Sequence, residues 1–202
     1  MREEAQRIAT RLEGTLRVPD TTPTGIVVIA HPLPTHGGSM RNPLMAALAR
    51  GMAERGWYAL RFNFRGVGAS AGEWSGGLEE PADLADAVAH ARTLAPGLPL
   101  GLLGFSFGAV TALRWLASGG RPDAYALLGF PLRPVAESSR DLPPMPDGAM
   151  VVNGEHDEFG TAMEIRRAYP EARVFEVKGA DHYFTGKREE VVRIVADNMA
   201  LP

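Results

Sequence analysis

Residues 98–118 read LPLGLLGFSFGAVTALRWLAS. The run from Leu98 to Phe105 is almost entirely apolar or small, which predicts a buried β-strand, and the residues from Phe107 to Ser118 predict a helix. The letters GFSFG at 104–108 match the pattern G-x-S-x-G where the strand turns into the helix. Small residues two positions either side of the serine let the two backbones pass closely, so the pattern indicates a strained turn centred on Ser106.

A serine on such a turn has its hydroxyl raised above the edge of the sheet, beside a helix N-terminus that favours negative charge. The pattern is short, and many serines between glycines only close a turn. Because strand, turn and helix stand in the required order, we expect Ser106 to be a nucleophile.

A serine hydroxyl needs a base to take its proton, and His182 is the best candidate among the five histidines. It lies in GADHYF at 179–184, after the last predicted strand and before the last predicted helix. In a parallel sheet with right-handed crossovers, all strand-to-helix turns open at one edge, so His182 is expected near Ser106. The alternative is a loop histidine in water.

The acid that orients this histidine is expected between the serine and the histidine in the chain. Asp157 ends the stretch MVVNGEHD at 150–157, directly after the penultimate predicted strand. Glu155, Glu158 and Asp181 are rival carboxylates. We favour Asp157, because Asp181 is adjacent to His182 and neighbouring side chains in a tight loop rarely meet well.

Two backbone amides are expected to stabilise an oxyanion. One is the amide after the nucleophile, Phe107. The other should come from the turn after an early strand, which reads His31-Pro32-Leu33. Proline has no N–H group, so Leu33 is the predicted donor.

Strand-like and helix-like segments alternate along the chain, which predicts one α/β domain over residues 1–202: a three-layer αβα sandwich with a mainly parallel sheet of seven or eight strands. The predicted strands are Thr15–Pro19, Gly25–Ala30, Trp57–Phe62, Leu98–Phe105, Ala124–Gly129, Ala149–Asn153 and Arg173–Lys178, with Gln6–Thr10 as a possible antiparallel addition. The predicted helices are Pro43–Arg55, Gly77–Leu94, Phe107–Ser118, Thr161–Tyr169 and Lys187–Met199.

Residues 131–147, PLRPVAESSRDLPPMPD, show no sustained period and contain five prolines. They predict a surface loop that is too short to be a second domain.

Composition excludes several classes of protein. With 45% hydrophobic and 22% charged residues the chain is an ordinary globular protein, and a net charge of −3 gives no indication of nucleic-acid or membrane binding. It has no cysteine, which excludes disulfides and thiolate chemistry. Acidic residues near the start do not resemble a secretory signal, so we expect a cytoplasmic protein. Nothing in the sequence indicates an oligomeric state.

Five blocks resemble the α/β-hydrolase superfamily, and within it a branch of small bacterial hydrolases that lack a lid. They are HPLPTHGGSM at 31–40, RFNFRGVGAS at 61–70, GFSFG at 104–108, NGEHDE at 153–158 and GADHYFTG at 179–186. The resemblance implies a catalytic triad of Ser106, Asp157 and His182, an oxyanion hole from Leu33 and Phe107, and no cofactor. Larger relatives insert cap helices after the sixth strand, where this chain has only residues 131–147.

Other polar motifs have ordinary interpretations. Gly66-Val67-Gly68 lacks a correctly spaced third glycine and is better explained as a turn than as a dinucleotide loop. His31 and His36 have no carboxylate at ligand spacing, so we expect no metal site there. Arg61 and Arg65 could bind a substrate carboxylate or form internal ion pairs, and the sequence favours neither.

Four aromatic residues are candidates for an apolar substrate pocket: Trp74, Phe105, Tyr183 and Phe184. The function predicted from all of these residues is cleavage of a small acyl ester through an acyl-enzyme intermediate. A thioesterase or a peptidase would use the same residues, and a non-catalytic binding protein could keep the same fold.

Overall fold

The computed structural model describes residues 1–199, and within them eight strands form one sheet. The strands in chain order are β1 (Arg2–Ile8), β2 (Leu12–Val18), β3 (Gly25–Ala30), β4 (Trp57–Phe62), β5 (Leu100–Phe105), β6 (Ala124–Leu128), β7 (Met150–Gly154) and β8 (Arg173–Val177). Across the sheet they run in the order β1-β2-β4-β3-β5-β6-β7-β8. The β1–β2 and β2–β4 pairs are antiparallel and the other five pairs are parallel, which confirms the predicted mainly parallel sheet. Residues 200–202, which the predicted domain included, lie outside the described residues.

Five α-helices cover the sheet on both faces over residues 1–199. They are α1 (Pro43–Glu54), α2 (Glu80–Leu94), α3 (Phe107–Ala117), α4 (Ala162–Ala168) and α5 (Arg188–Asn198). The apolar sides of α2 and α3, together with Ile165 of α4, pack on one face, and those of α1 and α5 pack on the other. Along β3, Val28 belongs to the first core, whereas Val27 and Ile29 belong to the second, so the strand is buried on both sides. The three-layer sandwich predicted from the sequence is confirmed. Within residues 1–199 every helix is too short or too polar to cross a bilayer.

The first two strands form a hairpin whose bounds differ from the prediction. The predicted strand Gln6–Thr10 is wrong at its end, because Ala9 and Thr10 have positive φ angles of 47° and 59° and form the turn. Two consecutive left-handed residues are typical of a type I′ turn, whose twist matches that of the flanking strands, and here the turn lies in a three-residue loop between the paired residues Ile8 and Leu12. The strand therefore stops at Ile8, and Arg11 N–H closes the turn by donating to its carbonyl at 3.0 Å.

Helix α2 begins three residues later than predicted. Gly76 and Gly77 have φ angles of 77° and 88°, which a right-handed helix excludes. The helix starts at Glu80, and Pro81 occupies its first turn, where a missing N–H costs nothing.

Residues 129–149 connect β6 to β7 and contain one short 3-10 turn, Glu137–Ser139, but no α-helix. The predicted loop at 131–147 is confirmed in this respect. Helices that could form a cap over the sheet edge are absent from this connection.

Close backbone passage at the turn after β5 explains both glycines of the motif. A Cβ atom on Gly104 would lie 2.4 Å from the carbonyl oxygen of Gly108, and one on Gly108 would lie 2.3 Å from the carbonyl oxygen of Ala30. Contacts this short are impossible for real atoms, and backbone groups in a sheet or helix cannot move aside cheaply. Only glycine allows β5, α3 and β3 to meet here.

We therefore expect Gly108→Ala to destabilise the fold strongly. The free energy of unfolding in urea should fall by about 3 kcal/mol, the upper end for inserting one methyl into a packed site. Gly97→Ala is the control: unlike Gly108, Gly97 has a positive φ, of 77°, and nothing lies within 4 Å of its Cβ position. That control should lose only about 1 kcal/mol from its left-handed backbone. Equal losses would show that the close passage is not what requires glycine.

Candidate active site

Ser106 occupies the turn between β5 and α3 in a conformation that non-glycine residues rarely adopt. Its φ is 54° and its ψ is −115°. Such a backbone costs about 1–3 kcal/mol and persists only where its surroundings impose it. Here the Ser106 N–H donates to the carbonyl of Leu128 at 2.8 Å, and its carbonyl accepts from Ala109 N–H at 2.9 Å. The side chain lines a cavity at the carboxyl edge of the sheet.

His182 lies between Ser106 and Asp157 and is hydrogen-bonded to both. Its Nε2 is 2.9 Å from Ser106 Oγ, and its Nδ1 is 2.9 Å from Asp157 Oδ2. A carboxylate can only accept, so His182 Nδ1–H donates to Asp157 and leaves the Nε2 lone pair for the Ser106 hydroxyl. All three residues are buried, with 4% or less of their surface exposed. The structure thus brings together the three residues that the sequence indicated.

The rival carboxylates have other partners. Glu155 accepts from Gly179 N–H at 2.8 Å, and Asp181 accepts from Thr185 N–H at 2.9 Å. Backbone N–H donors, the Thr185 amide first, hold the pKa of Asp181 below its usual range. Glu158 is exposed. Asp157 is therefore the carboxylate that contacts His182.

Hydrogen bonds from two residues hold the turn that contains Asp157 in place. The second oxygen of Asp157, Oδ1, accepts from Phe159 N–H at 2.8 Å. The buried amide of Asn153, at the end of β7, accepts from Phe130 N–H and donates to the carbonyls of Phe130 and Gly160 at 2.7–3.0 Å. These bonds tie the turn that contains Asp157 to the neighbouring turn after β6. Sequence reasoning missed Asn153, although an amide at a strand end in NGEHDE was visible.

The two predicted oxyanion donors lie at the ends of adjacent strands. Leu33 lines the cavity in the turn after β3, and Phe107 is the first residue of α3. Within residues 1–199 neither backbone amide donates a hydrogen bond to the protein. Both amides are therefore unused by the fold, as an oxyanion hole requires.

His31 holds the turn that contains Leu33. It is fully buried, its Nδ1–H donates to the Pro32 carbonyl at 2.6 Å, and its Nε2 accepts from Phe64 N–H at 3.1 Å. Burial lowers its pKa from 6.5 to about 4, so the ring is neutral near pH 7. With both ring nitrogens engaged by the backbone, His31 has a structural role. No group of three His, Cys, Asp or Glu side chains within residues 1–199 is arranged to hold a metal ion.

The predicted aromatic pocket is largely wrong. Of the four candidates only Tyr183 lines the cavity, with 58% of its surface exposed. Phe105 and Phe184 are fully buried in the core, where their rings pack against each other behind His182. Trp74 packs edge-on against Phe107 with ring centroids 5.0 Å apart and does not line the cavity. Aromatic character alone does not distinguish a core residue from a pocket residue.

The cavity has a volume of about 330 Å³, and residues from the turns and loops after five strands, β3, β5, β6, β7 and β8, line it. Sequence reasoning missed most of its wall. Besides Ser106, His182, Leu33 and Tyr183, the lining residues are Pro32, His36, Gly37, Gly38, Asn42, Pro134, Val135 and Phe159. Five of these lie in or just after the block HPLPTHGGSM, whose position after β3 could have indicated them. Nothing in the sequence of residues 131–147 indicated that Pro134 and Val135 would reach the site.

Arg61 and Arg65 form internal ion pairs and do not line this cavity. Arg61 is 5% exposed, and its guanidinium contacts Glu3 at 2.5 Å and donates to the Met40 carbonyl at 3.1 Å. The same Glu3 oxygen lies 2.5 Å from Arg17. Arg65 pairs with Asp83 at 2.9 Å. Of the two interpretations left open by the sequence, the structure shows the ion pairs.

The turn Gly66-Val67-Gly68 carries φ angles of 70° and 57° at its glycines, and no helix starts there. This geometry confirms an irregular turn.

The family profile of the alpha/beta hydrolase domain matches residues 23–195 of the sequence. The chain belongs to the alpha/beta hydrolase family. An alpha-beta serine hydrolase homologue from Coxiella burnetii is 26% identical, with a TM-score of 0.85 over 98% of this hydrolase and 97% of that chain. An α/β serine hydrolase without lid from Xanthomonas campestris is 26% identical, with a TM-score of 0.83 over 100% of this hydrolase and 96% of that chain. An uncharacterised protein of Rickettsia prowazekii is 26% identical over 93% of this hydrolase and 83% of its own length.

The low pKa of His31 makes the stability of this α/β-hydrolase depend on pH. Above pH 6.5 the ring is neutral whether the chain is folded or unfolded. As the pH falls from 6.5 to about 4, His31 binds a proton in the unfolded chain but not in the folded chain, so the free energy of unfolding decreases. The difference between the His31 pKa in the unfolded and the folded chain corresponds to about 3 kcal/mol of stability, at about 1.4 kcal/mol per pKa unit.

Urea unfolding of the wild type and of His31→Gln at several pH values tests this. We expect His31→Gln to be less stable at pH 7 and to lose less stability than the wild type between pH 6.5 and 4. His156→Gln is the control, because the exposed His156 side chain should leave the wild-type slope unchanged. Parallel curves for wild type and His31→Gln would contradict a neutral buried ring.

Proposed function

We propose that the chain is a serine hydrolase that cleaves small, uncharged acyl esters through an acyl-enzyme intermediate. The observation that carries the proposal is the hydrogen-bonded series Ser106–His182–Asp157 on a strained turn that opens into a cavity. The likeness to a serine hydrolase homologue from Coxiella burnetii and to a serine hydrolase without lid from Xanthomonas campestris supports a serine nucleophile.

In the first half of the reaction, Ser106 Oγ attacks the ester carbonyl while its proton passes to His182 Nε2. Asp157 stabilises the imidazolium through the Nδ1–H bond. The carbonyl oxygen gains a negative charge, which the unused amides of Leu33 and Phe107 and the N-terminus of α3 stabilise. When the tetrahedral intermediate collapses, the C–O bond to the alcohol breaks and His182 gives its proton to the departing oxygen.

In the second half, water attacks the acyl-enzyme carbonyl and gives a proton to His182 Nε2. A second tetrahedral intermediate uses the same oxyanion donors. Its collapse releases the carboxylic acid and returns the proton from His182 to Ser106 Oγ. Atoms balance without any further reactant, and no step requires a metal ion or cofactor.

The lining of the cavity favours an uncharged acyl group. Pro32, Leu33, Pro134, Val135 and Phe159 supply most of its apolar wall. Among the described residues, no lysine, arginine, aspartate or glutamate lines it. A charged substrate group would lose its hydration there without gaining an ion pair, which is costly.

Ser106→Ala tests the nucleophile. It should abolish covalent labelling by a fluorophosphonate and lower turnover of a p-nitrophenyl ester roughly 10⁴-fold or more. His182→Ala should cost about as much, and the double variant should be little worse than either single variant because the residues act as a unit. Labelling of Ser106→Ala at the wild-type rate would place the nucleophile elsewhere.

Asp157→Asn tests the acid against its nearest rival. An asparagine keeps the shape but cannot stabilise the imidazolium or fix its tautomer, so kcat should fall roughly 10³–10⁴-fold. Asp181→Asn, a carboxylate next to His182 that bonds Thr185 instead, is the matched control and should change kcat by less than about threefold. The assignment fails if the two variants lose activity equally.

The size of the cavity predicts a preference for short acyl chains. Each enclosed methylene contributes about 0.8 kcal/mol, but a chain longer than the cavity leaves its end in water and gains nothing more. We expect kcat/KM on p-nitrophenyl esters to peak at roughly two to six carbons. A steady rise to twelve carbons would reveal an enclosed tunnel instead.

A further inference from the structure

The β6–β7 connection, residues 129–149, contributes Pro134 and Val135 to the wall of the cavity. It has no α-helix, so its order must come from contacts with other parts of the chain. Those contacts determine whether Pro134 and Val135 form a movable flap or a fixed surface.

The connection is bonded to the turn that contains Asp157. The amides of Leu132 and Arg133 both donate to the carbonyl of Phe159, at 2.8 and 2.9 Å. Phe159 in turn donates its own amide to Asp157 and packs its ring against His182, with centroids 4.6 Å apart. The residues just before Pro134 are therefore fixed to the same turn as the proposed catalytic acid.

On its other side the connection is bonded to α3, the helix that follows Ser106. Arg114 donates through Nε to the carbonyl of Ser138 at 2.7 Å and through Nη2 to the carbonyl of Asp141 at 2.7 Å. A second bond from Nη2 reaches Ser138 as well. Ser138 N–H also donates to the carbonyl of Gly76 at 3.1 Å. One guanidinium thus holds two successive parts of the connection.

A buried serine fixes the backbone at Val135 itself. Ser139 is 3% exposed, and its Oγ accepts from the amides of Val135 and Ala136 at 2.8 and 2.9 Å while donating to the Ala136 carbonyl at 2.7 Å. Leu132, Val135, Leu142 and Met145 also pack against the core between the sheet and α3. The connection is bonded or packed at both ends and in the middle.

We infer that Val135, with Pro134 beside it, forms a fixed wall that limits the length of the acyl group, and that Arg114 and Ser139 are the residues that position this wall. The inference rests on the proposed esterase function. A flap could withdraw to admit a longer chain, whereas a wall bonded at this many points cannot. The size of the Val135 side chain then determines which lengths of acyl chain the cavity accepts.

Changing that side chain should move the selectivity in both directions. Val135→Ala enlarges the cavity, so kcat/KM for acyl chains one or two carbons longer than the wild-type optimum should rise about fourfold for each newly enclosed methylene. Val135→Leu fills the cavity and should shift the optimum to shorter chains. Val174→Ala is the matched control, because Val174 is a half-buried valine of β8 that packs against the same core, outside the connection, and does not line the cavity.

The experiment measures the labelling rate with alkyl fluorophosphonates of increasing chain length, and kcat/KM on the matching p-nitrophenyl esters. If the wild type neither labels at Ser106 nor turns over esters, the proposed function fails. If the wild type is labelled at Ser106 but Val135→Ala and Val135→Leu both keep its chain-length profile, the proposed function stands and the inferred role of Val135 is wrong. A shift in the control equal to that in the Val135 variants also overturns the inference.

Arg114→Met tests the positioning role, since methionine keeps the length but donates no hydrogen bond. We expect KM for the preferred ester to rise about 5- to 10-fold and the chain-length profile to flatten, with kcat within about twofold. Arg114→Lys retains one donor and should recover part of the selectivity. If Arg114 only supported folding, Arg114→Met would reduce the yield of folded protein but leave its KM and profile unchanged, and that result overturns the positioning role.

Discussion

Three backbones meet within van der Waals contact at the turn after β5, and the site depends on this approach. Gly104 and Gly108 let β5, α3 and the end of β3 come so close that no Cβ fits between them. The same approach leaves Ser106 with a φ of 54°, a conformation that an unconstrained serine would leave. Its hydroxyl is consequently held at the edge of the sheet before any substrate arrives. Because folding already orients the Ser106 hydroxyl, the reaction does not have to provide the free energy for orienting it.

The parallel topology brings the other residues of the site to the same edge of the sheet as this turn. The turns after β3, β5, β6, β7 and β8 all open at the carboxyl edge of the sheet, because these five strands are parallel. Residues 76 positions apart, Ser106 and His182, therefore come within hydrogen-bond distance. Each turn also has its own buried polar support. His31 holds the turn after β3, and Asn153 holds the turns after β6 and β7.

The motif, the order of the elements and the spacing of Asp157 and His182 were sufficient to predict the fold and the three hydrogen-bonded residues. These predictions succeeded because each depends on local pattern and on a topology with few alternatives. The pocket could not be predicted in the same way. Phe105 and Phe184 are as aromatic as Tyr183, and only the packing of α5 and the sheet decides that they are buried. Val135 lies in a connection that Arg114, Ser139 and Phe159 hold by hydrogen bonds, and no pattern in the sequence indicates these bonds.

The buried guanidinium of Arg61 has a consequence for the start of the chain. Its carboxylate partner is Glu3, in a strand at the outer edge of the sheet, and that carboxylate is shared with Arg17. Burial lowers the pKa of Arg61, and Glu3 opposes this effect by favouring the charged form. Without the first strand, two arginines would face each other on neighbouring strands with no anion between them, a costly arrangement. Glu3 is therefore the counter-ion for arginines on the two strands next to β1. Removing the first residues would leave these two positive charges repelling each other inside the fold.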